Sequence, residues 1–491
     1  MIPLINNKKV SEYTSAYSSK LWLFENVERK EYLSHLEDIK AKGYKEAYKT
    51  DIEDNLTSVF ENDENLVISS FYPCDNTVRT VLETNKNLPE FKMREYLENK
   101  TRTTLWQFEV DHSLIDCGMC YIIRCCDGSF FIIDSAHTYS CRDDERIHAF
   151  LRERTPEGEK IRIAGWFFSH GHDDHIAQFT NFLKYCSNDV IIEGLYFNFP
   201  TFEHRDAHNW MGAGEGYVNQ FRDAISKRSD IPVYTLHSGE VFYIRNLKFD
   251  VLCSHEDVFP KSNENYNDSS VVLMMTAENT KVCFPGDAGH EESYILEARY
   301  KNGYLKCEIM QSAHHAHFGT TPDFYRMTNS EVALVPSTQI MYDGDLPRYE
   351  ATRVMADIAK HLFIASNGTV EIDLPYKSGE IKVYPDETFE NFEGINNLWS
   401  YEYTDERKAE LYKAYLERGG KPIKEYKKLL SDEWIYSSLN NFLYLNSKIK
   451  LRFVCINLST GHNLVRSFFN MCKNSYYAIV FYSELLNNFK W

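Results

Sequence analysis

The chain has 491 residues, 43% of them hydrophobic and 26% charged, the proportions of a folded protein and not of a disordered or fibrous one. Its formal net charge is -18, from 72 acidic against 54 basic residues, so the molecule as a whole repels polyanions and extended nucleic acid is disfavoured as a partner. A prior of roughly 150 residues per domain suggests two or three units. The opening MIPLINNKKVSEYTS has no apolar core behind a basic start, and no apolar run approaches the roughly 20 residues of a membrane span. The expectation is a cytoplasmic protein without a membrane partner.

In chain order, residues 21–97 are charged and helix-like in places, as in VERKEYLSHLEDIKAKGYKEAY, with a short strand-like stretch at 66–72. A mainly helical extension is expected over 1–103. From 104 to 135 the pattern turns to strands: TLWQFEVD, MCYIIRC, a turn at Asp127-Gly128, and SFFIIDS, a hairpin entering a buried sheet. A helix is expected over 142–153, then an apolar strand IRIAGWFFSH, then FTNFLKYC and VIIEGLYFNF as helix and strand. Residues 241–253 read as paired strands, followed by a polar loop with Asn263, Asn265, Asn267 and Asp268. SVVLMMTAE and KVCFPGD read as strands, 291–300 as a helix, 307–311 and VALVPS as strands, and 349–361 as a helix before a hairpin that ends near 384. Helices alternating with strands point to an α/β domain over 104–390. Residues 391–491 form a further appendage, and 441–491 carry six Lys or Arg against one acid, Glu484. The twelve cysteines form no compact disulfide framework in a chain this long. Cys117-Gly-Met-Cys120 has the CxxC spacing but no second pair, so reduced buried thiols are expected.

The chemistry concentrates in Ser169-His170-Gly171-His172-Asp173-Asp174-His175, directly after an apolar strand. Imidazole nitrogens and carboxylate oxygens are the donors of catalytic zinc sites. In an HxHxDH turn, His170 and His172 can converge on one ion while Asp174 and His175 turn to a second. A polar, solvated loop is the alternative, and three histidines and two aspartates in six residues disfavour it. One turn surrounds two ions only with help from elsewhere. Asp287, in Phe284-Pro-Gly-Asp287, is placed to bridge, with Gly286 permitting a tight backbone. Gln311-Ser-Ala-His314-His315-Ala-His317 offers the remaining histidine, with His314 favoured over His315 and His317. Asp134, ending SFFIID, reads as a carboxylate that orients a ligand, or else as a turn cap.

Together these motifs resemble the metallo-β-lactamase superfamily: an Asp after an early strand, HxHxDH, a later Asp and a later His. Their order is similar to that of the ComEC-type branch, named for the hydrolase domain of bacterial competence proteins. It has Asn267-Asp268-Ser269-Ser270 before two strands, Gly286-Asp287, and His314-His315. The resemblance spans about 104–385. It implies an αββα sandwich with the extensions outside it, holding two Zn²⁺, with Mn²⁺ or Fe as alternatives. It also implies a zinc-activated hydroxide, with Asp174 and His315 in catalytic roles, and a phosphoester or phosphodiester of small or modest size as substrate. The alternatives are hydrolysis of a lactone, thioester or lactam, or a binding protein on the same fold. The chain departs from the superfamily pattern where a further histidine ligand is expected, giving NFPTF instead; His204 and His208 nearby read as surface residues.

Overall fold

The computed structural model describes residues 2–14, 19–109, 118–137, 143–201, 213–259, 261 and 265–384, all within one compact unit, Met1–Leu429. The expected appendage at 391–491, and Cys117, His204 and His208, lie outside the described residues. Among the described residues no helix is long and apolar enough to cross a membrane.

Strands β1 (Val10–Thr14), β2 (Lys20–Phe24), β3 (Lys45–Ile52), β4 (Asn55–Glu61), β5 (Leu66–Tyr72) and β6 (Thr77–Glu83), with helix α1 (Arg29–Ala41) between β2 and β3, make the N-terminal region. They form one antiparallel sheet in the order β1-β2-β6-β5-β4-β3. This corrects the expectation of a mainly helical extension. The helical signal belongs to α1 alone, which buries Tyr32, Leu36 and Ile39 on the sheet. The strand signal is faint because polar residues are buried on both faces: Ser69 and Thr80 beneath α1, and Thr57, Ser70 and Arg79 on the opposite face. A polar residue on a buried face breaks the alternation by which strands are read. The strand-like stretch at 66–72 is β5.

Beyond it lie two more sheets. The first contains β7 (Thr104–Gln107), β8 (Tyr121–Arg124), β9 (Phe130–Ile133), β10 (Ile161–Phe167), β11 (Val190–Ile192), β12 (Leu195–Phe197) and β13 (Val233–Thr235), with helices α2 (Asp143–Glu153), α3 (Asp173–Tyr185) and α4 (Ala213–Ser226) between them. The second contains β14 (Val241–Ile244), β15 (Leu247–Cys253), β16 (Val272–Ala277), β17 (Thr280–Phe284), β18 (Ile309–Gln311), β19 (Val332–Val335) and β20 (His361–Ile364) in that spatial order. Its helices are α5 (His255–Val258), α6 (His290–Arg299), α7 (Pro322–Thr328), α8 (Gln339–Asp345) and α9 (Glu350–Ile358). The chain then returns to the first sheet with β21 (Thr369–Asp373) and β22 (Ile381–Tyr384), giving β13-β12-β10-β9-β8-β7-β21-β22 with β11 beside β10.

The two sheets pack face to face. Phe131, Ile133 and Phe167 from one meet Phe249, Leu273, Val282 and Leu334 from the other in a single core. The alternate residues point outward: Phe130, Ile132 and Trp166 pack under Ile147 of α2, Phe179 and Phe182 of α3 and Phe221 of α4. On the far side, Met274, Cys283 and Met310 pack under Leu296 of α6, Phe324 of α7 and Met355 of α9. Both faces of each central strand are therefore buried, which is why SFFIID reads as an unbroken apolar run. Each such fully buried Phe or Ile contributes about 1.5–3 kcal/mol. The result is a four-layered αββα sandwich, as the sequence resemblance implied. Cys120, Cys125, Cys253 and Cys283 are free and buried within it.

The N-terminal sheet is joined to the sandwich by polar contacts. Arg79, 1% exposed, donates from Nη1 to Asp257 Oδ1 (2.5 Å) and from Nη2 to the Ser238 carbonyl (2.6 Å). Arg299 donates to the same Asp257 oxygen (2.9 Å), its guanidinium 3.3 Å from the centre of the Tyr72 ring. Thr50 Oγ1 donates to the Gly239 carbonyl (2.7 Å). Gly239 has φ +90°, and a Cβ there would lie 2.0 Å from Thr57 Oγ1, so only glycine fits.

Candidate metal centre

Four strand ends supply the site. β9 ends at Asp134, β10 runs into Ser169–His175, β17 into Asp287, and β18 into His314 and His315. In the parallel pairs β9–β10 and β17–β18 these C-terminal ends lie side by side. His172 is the N-cap of α3, so Asp173 and Asp174 occupy its first turn, where the helix dipole favours carboxylates. Gly286 (φ +60°) lets the chain turn with its Cα against Ser169 and Ser270, while Ser270 Oγ accepts from the Asp287 amide (3.0 Å). His314, His315 and Ala316 are consecutive residues at φ +46°, +56° and +66°. Backbone this strained in non-glycine residues persists where the surroundings over-determine it, and here it turns two imidazoles toward one carboxylate.

That carboxylate is Asp287, 1% exposed. Its Oδ1 lies 3.3 Å from His175 Nε2. Its Oδ2 lies 3.5 Å from His315 Nε2, 3.8 Å from His314 Nε2 and 3.9 Å from His170 Nε2. Asp174 Oδ2 is 3.0 Å from His315 Nε2 and 3.6 Å from His175 Nε2. His170 Nε2 and His172 Nδ1 stand 3.0 Å apart. One donor atom each from Asp174, His175, Asp287 and His315 falls within 4.8 Å of the other three. His170, His172, Asp174, His175, Asp287, His314 and His315 thus come together. His315, not the favoured His314, belongs to the tightest group; His314 instead faces Asn267 Nδ2 at 3.1 Å.

Hydrogen bonds outside the cluster decide which atoms face inward. Asp134 accepts from the Ser169 amide (2.7 Å), from Ser169 Oγ (2.8 Å) and from His175 Nδ1 (2.8 Å). The Pro336 carbonyl accepts from His315 Nδ1 (2.6 Å). A carbonyl only accepts, so the His315 proton sits on Nδ1, and in the neutral ring Nε2 turns its lone pair toward two carboxylates. His175 is held in the same way. Among the described residues, no hydrogen-bond partner serves His175 Nε2, Asp287 Oδ1 or His314 Nδ1. Lone pairs facing lone pairs in a buried space call for a shared cation, and a carboxylate or backbone carbonyl behind the imidazole is how metal-binding histidines are held. The donor set fits a divalent metal.

The electrostatics agree. Burial pushes the His170 and His172 imidazoles down, as do neighbouring histidines for His170, and burial lowers His314 to about 4, so these rings present lone pairs at neutral pH. Burial works against ionising Asp287 and Asp174, yet the facing His175 and His315 hold both well below the usual carboxylate range. Burial likewise opposes charge on His175, but Asp287, Asp174 and Asp134 together hold it well above the ordinary value. In the metal-free chain a proton takes the place between these groups.

The sequence quoted Asn267 only within a polar stretch, and did not single out Tyr266 at all. Tyr266 lies with its ring 5.0 Å from that of His172 and its hydroxyl against Gly171. His317 Nδ1 donates to Asp345 Oδ2 (2.9 Å), beside the cluster and not within it.

These features define the class: an αββα sandwich with a histidine–aspartate metal centre at the strand ends. No protein-family model matches the chain, and no curated protein matches its sequence. Solved structures similar to it include the metallo-β-lactamase fold protein YhfI from Bacillus subtilis, 9% identical with a TM-score of 0.34, which covers 54% of this chain and 97% of its own. The short form of human tRNase Z is 10% identical at a TM-score of 0.28, over 48% of this chain and 92% of its own. CmlA, a diiron β-hydroxylase from Streptomyces venezuelae, is 11% identical at 0.30, over 57% of this chain and 55% of its own, so the match spans about half of CmlA. With likenesses this distant, it is this chain's own topology and donor set that define the class.

Proposed function

We propose that this chain is a metal-dependent hydrolase acting on a phosphoester or phosphodiester of small or modest size, with zinc as the metal. The observation that carries the reading is the set of inward lone pairs of His175, His315, Asp174 and Asp287, held by Asp134 and the Pro336 carbonyl. His170 and His172 would hold one ion and Asp174, His175 and His315 the other, with Asp287 between them. Metals at these positions supply an acidified water and a Lewis acid for the oxygen that gains charge. Asp134 keeps the His175 ring in one tautomer, and the Pro336 carbonyl does so for His315. His314, its side chain 15% exposed, accepts at Nε2 from Asn267 Nδ2 (3.1 Å) and stands at the edge of the cluster. The ComEC-like order of Asn267-Asp268, Gly286-Asp287 and His314-His315 supports phosphoester chemistry, and the charge of -18 supports a substrate smaller than extended nucleic acid.

The test is hydrolysis of a chromogenic phosphodiester by the zinc-loaded chain, against chelator-treated chain and His172→Ala. Turnover lost in both controls is expected. No turnover with about two metals bound would redirect the search to lactones, thioesters and lactams, and no bound metal would sink the enzyme reading.

A further inference from the structure

We propose that the rings of His317, Phe318 and Tyr349 form the wall of a subsite that takes a flat aromatic group of the substrate beside the metal centre. The identity of the group it is attached to rests on the phosphoester reading above; the subsite itself does not.

The wall starts at the metal centre. The His314 ring, whose Nε2 is 3.8 Å from Asp287 Oδ2, has its centroid 5.5 Å from that of His317 and 4.9 Å from that of Phe318. His317 in turn lies 4.6 Å from Phe318 and 5.0 Å from Tyr349, at interplanar angles of 63° and 70°. Rings meeting edge to face hold one another's orientation. A further constraint fixes His317: Asp345, its side chain 6% exposed, accepts from Nδ1 at 2.9 Å. Phe318 follows directly on the left-handed turn that presents His314 and His315, so its placement is coupled to that of the cluster.

Rings that served only packing would be covered. These remain partly exposed, His317 by 32% of its side chain, and the exposed Arg348 stands beside them with Nη1 3.9 Å from Asp345 Oδ1. A rigid, partly open aromatic wall has already met the entropic cost of ordering, which is what stacking a planar ligand requires. Stacking tolerates any ring with a π face, so the group recognised is an aryl or nucleobase-like ring joined to the ester.

The test uses the zinc-loaded full chain and two probe pairs, phenyl phosphate against methyl phosphate and phenylacetate against acetate, titrated calorimetrically. The phenyl member of the phosphate pair is expected to bind roughly tenfold or more tightly, the scale of one stacked ring. Phe318→Leu and Tyr349→Leu should each remove most of that preference with metal content per chain unchanged. A phenyl preference among the carboxylates alone would uphold the subsite and overturn the phosphoester reading. The absence of phenyl preference in both pairs, through equal binding or none, overturns the subsite, as does a preference that survives in both variants.

Discussion

Among the described residues, the charge cluster beneath the N-terminal sheet and the one at the strand ends are built differently. Between the N-terminal sheet and the sandwich, Arg79 and Arg299 share Asp257, and His237 lies between Glu256 (3.0 Å from Nδ1) and Glu83 (3.4 Å from Nε2). Each carboxylate there faces a cation that the chain itself supplies. At the strand ends, Asp174 and Asp287 face imidazoles, of which His175 and His315 have their outer nitrogens committed to Asp134 and the Pro336 carbonyl. The first cluster is a join and is complete with protein groups. The second is matched by protons on its own imidazoles, which a bound cation would displace. Burial and charge are common to both, so neither property marks a site by itself; the direction in which the lone pairs point does.

Substitutions should separate the two. Asp287→Ala, which removes the carboxylate common to the cluster, should lower metal-dependent hydrolytic turnover by about a thousandfold or more, since metal assistance is worth several kcal/mol. The unfolding midpoint of the metal-free protein should fall less than in Arg79→Met, and an equal fall would make the cluster a structural join. Arg79→Met should do the reverse. Breaking a buried ion pair costs about 3–5 kcal/mol, read by denaturant unfolding, and adding Asp257→Leu should restore part of the loss if the uncompensated charge is its cause.

Asp134→Asn should weaken metal binding by roughly 10- to 100-fold, as loss of a group behind a metal-binding histidine does, measured by competition with a chromophoric chelator. Unchanged affinity would remove Asp134 from the site.

The join should also show in the pH dependence of stability. Burial opposes charge on His237, but Glu256 and Glu83 hold it well above its usual value. Its contribution is therefore complete below the unfolded value of about 6.5 and is lost as pH rises through the folded value. Glu256, held low by His237 and Arg79 against burial, and Asp257, held low by Arg299 and Arg79 against burial, contribute above their unfolded values and lose that contribution as pH falls. Unfolding free energy should accordingly decline on both sides of a weakly acidic maximum, and His237→Gln should flatten the alkaline limb. A limb that keeps its slope in the variant would assign it to other groups. At the small end, Lys20→Ala removes an ion pair to Glu12 in which both side chains are about half exposed, and should cost under about 1 kcal/mol.

The site was legible because its donors are dense in sequence. Six residues from His170 to His175 carry a ligand pattern that few loops would, and Asp134, Asp287 and the His314–His315 pair each end an apolar strand. The strands themselves were legible because both of their faces are apolar. Less could be read where a residue's role depends on a distant partner. No local feature distinguishes His315 from His314. The choice of tightest donor follows from the Pro336 carbonyl, 21 residues away, which sets the tautomer of one ring and not the other. The N-terminal sheet was misread for a related reason: buried polar residues that meet Ser238, Gly239 and Asp257 interrupt its apolar faces, so the alternation that announces a strand is broken.

The sequence by itself determined an α/β domain and the residues that gather at its strand ends, because apolar periodicity and ligand spacing are local properties of a chain; the αββα layering was implied by the resemblance of its motifs. Only the tertiary structure decided which lone pairs face inward and which buried charges are matched within the protein. It also decided which rings stand beside the cluster. Hydrogen-bond direction, burial and ring packing are set by groups far apart in the chain, and no stretch of sequence records them.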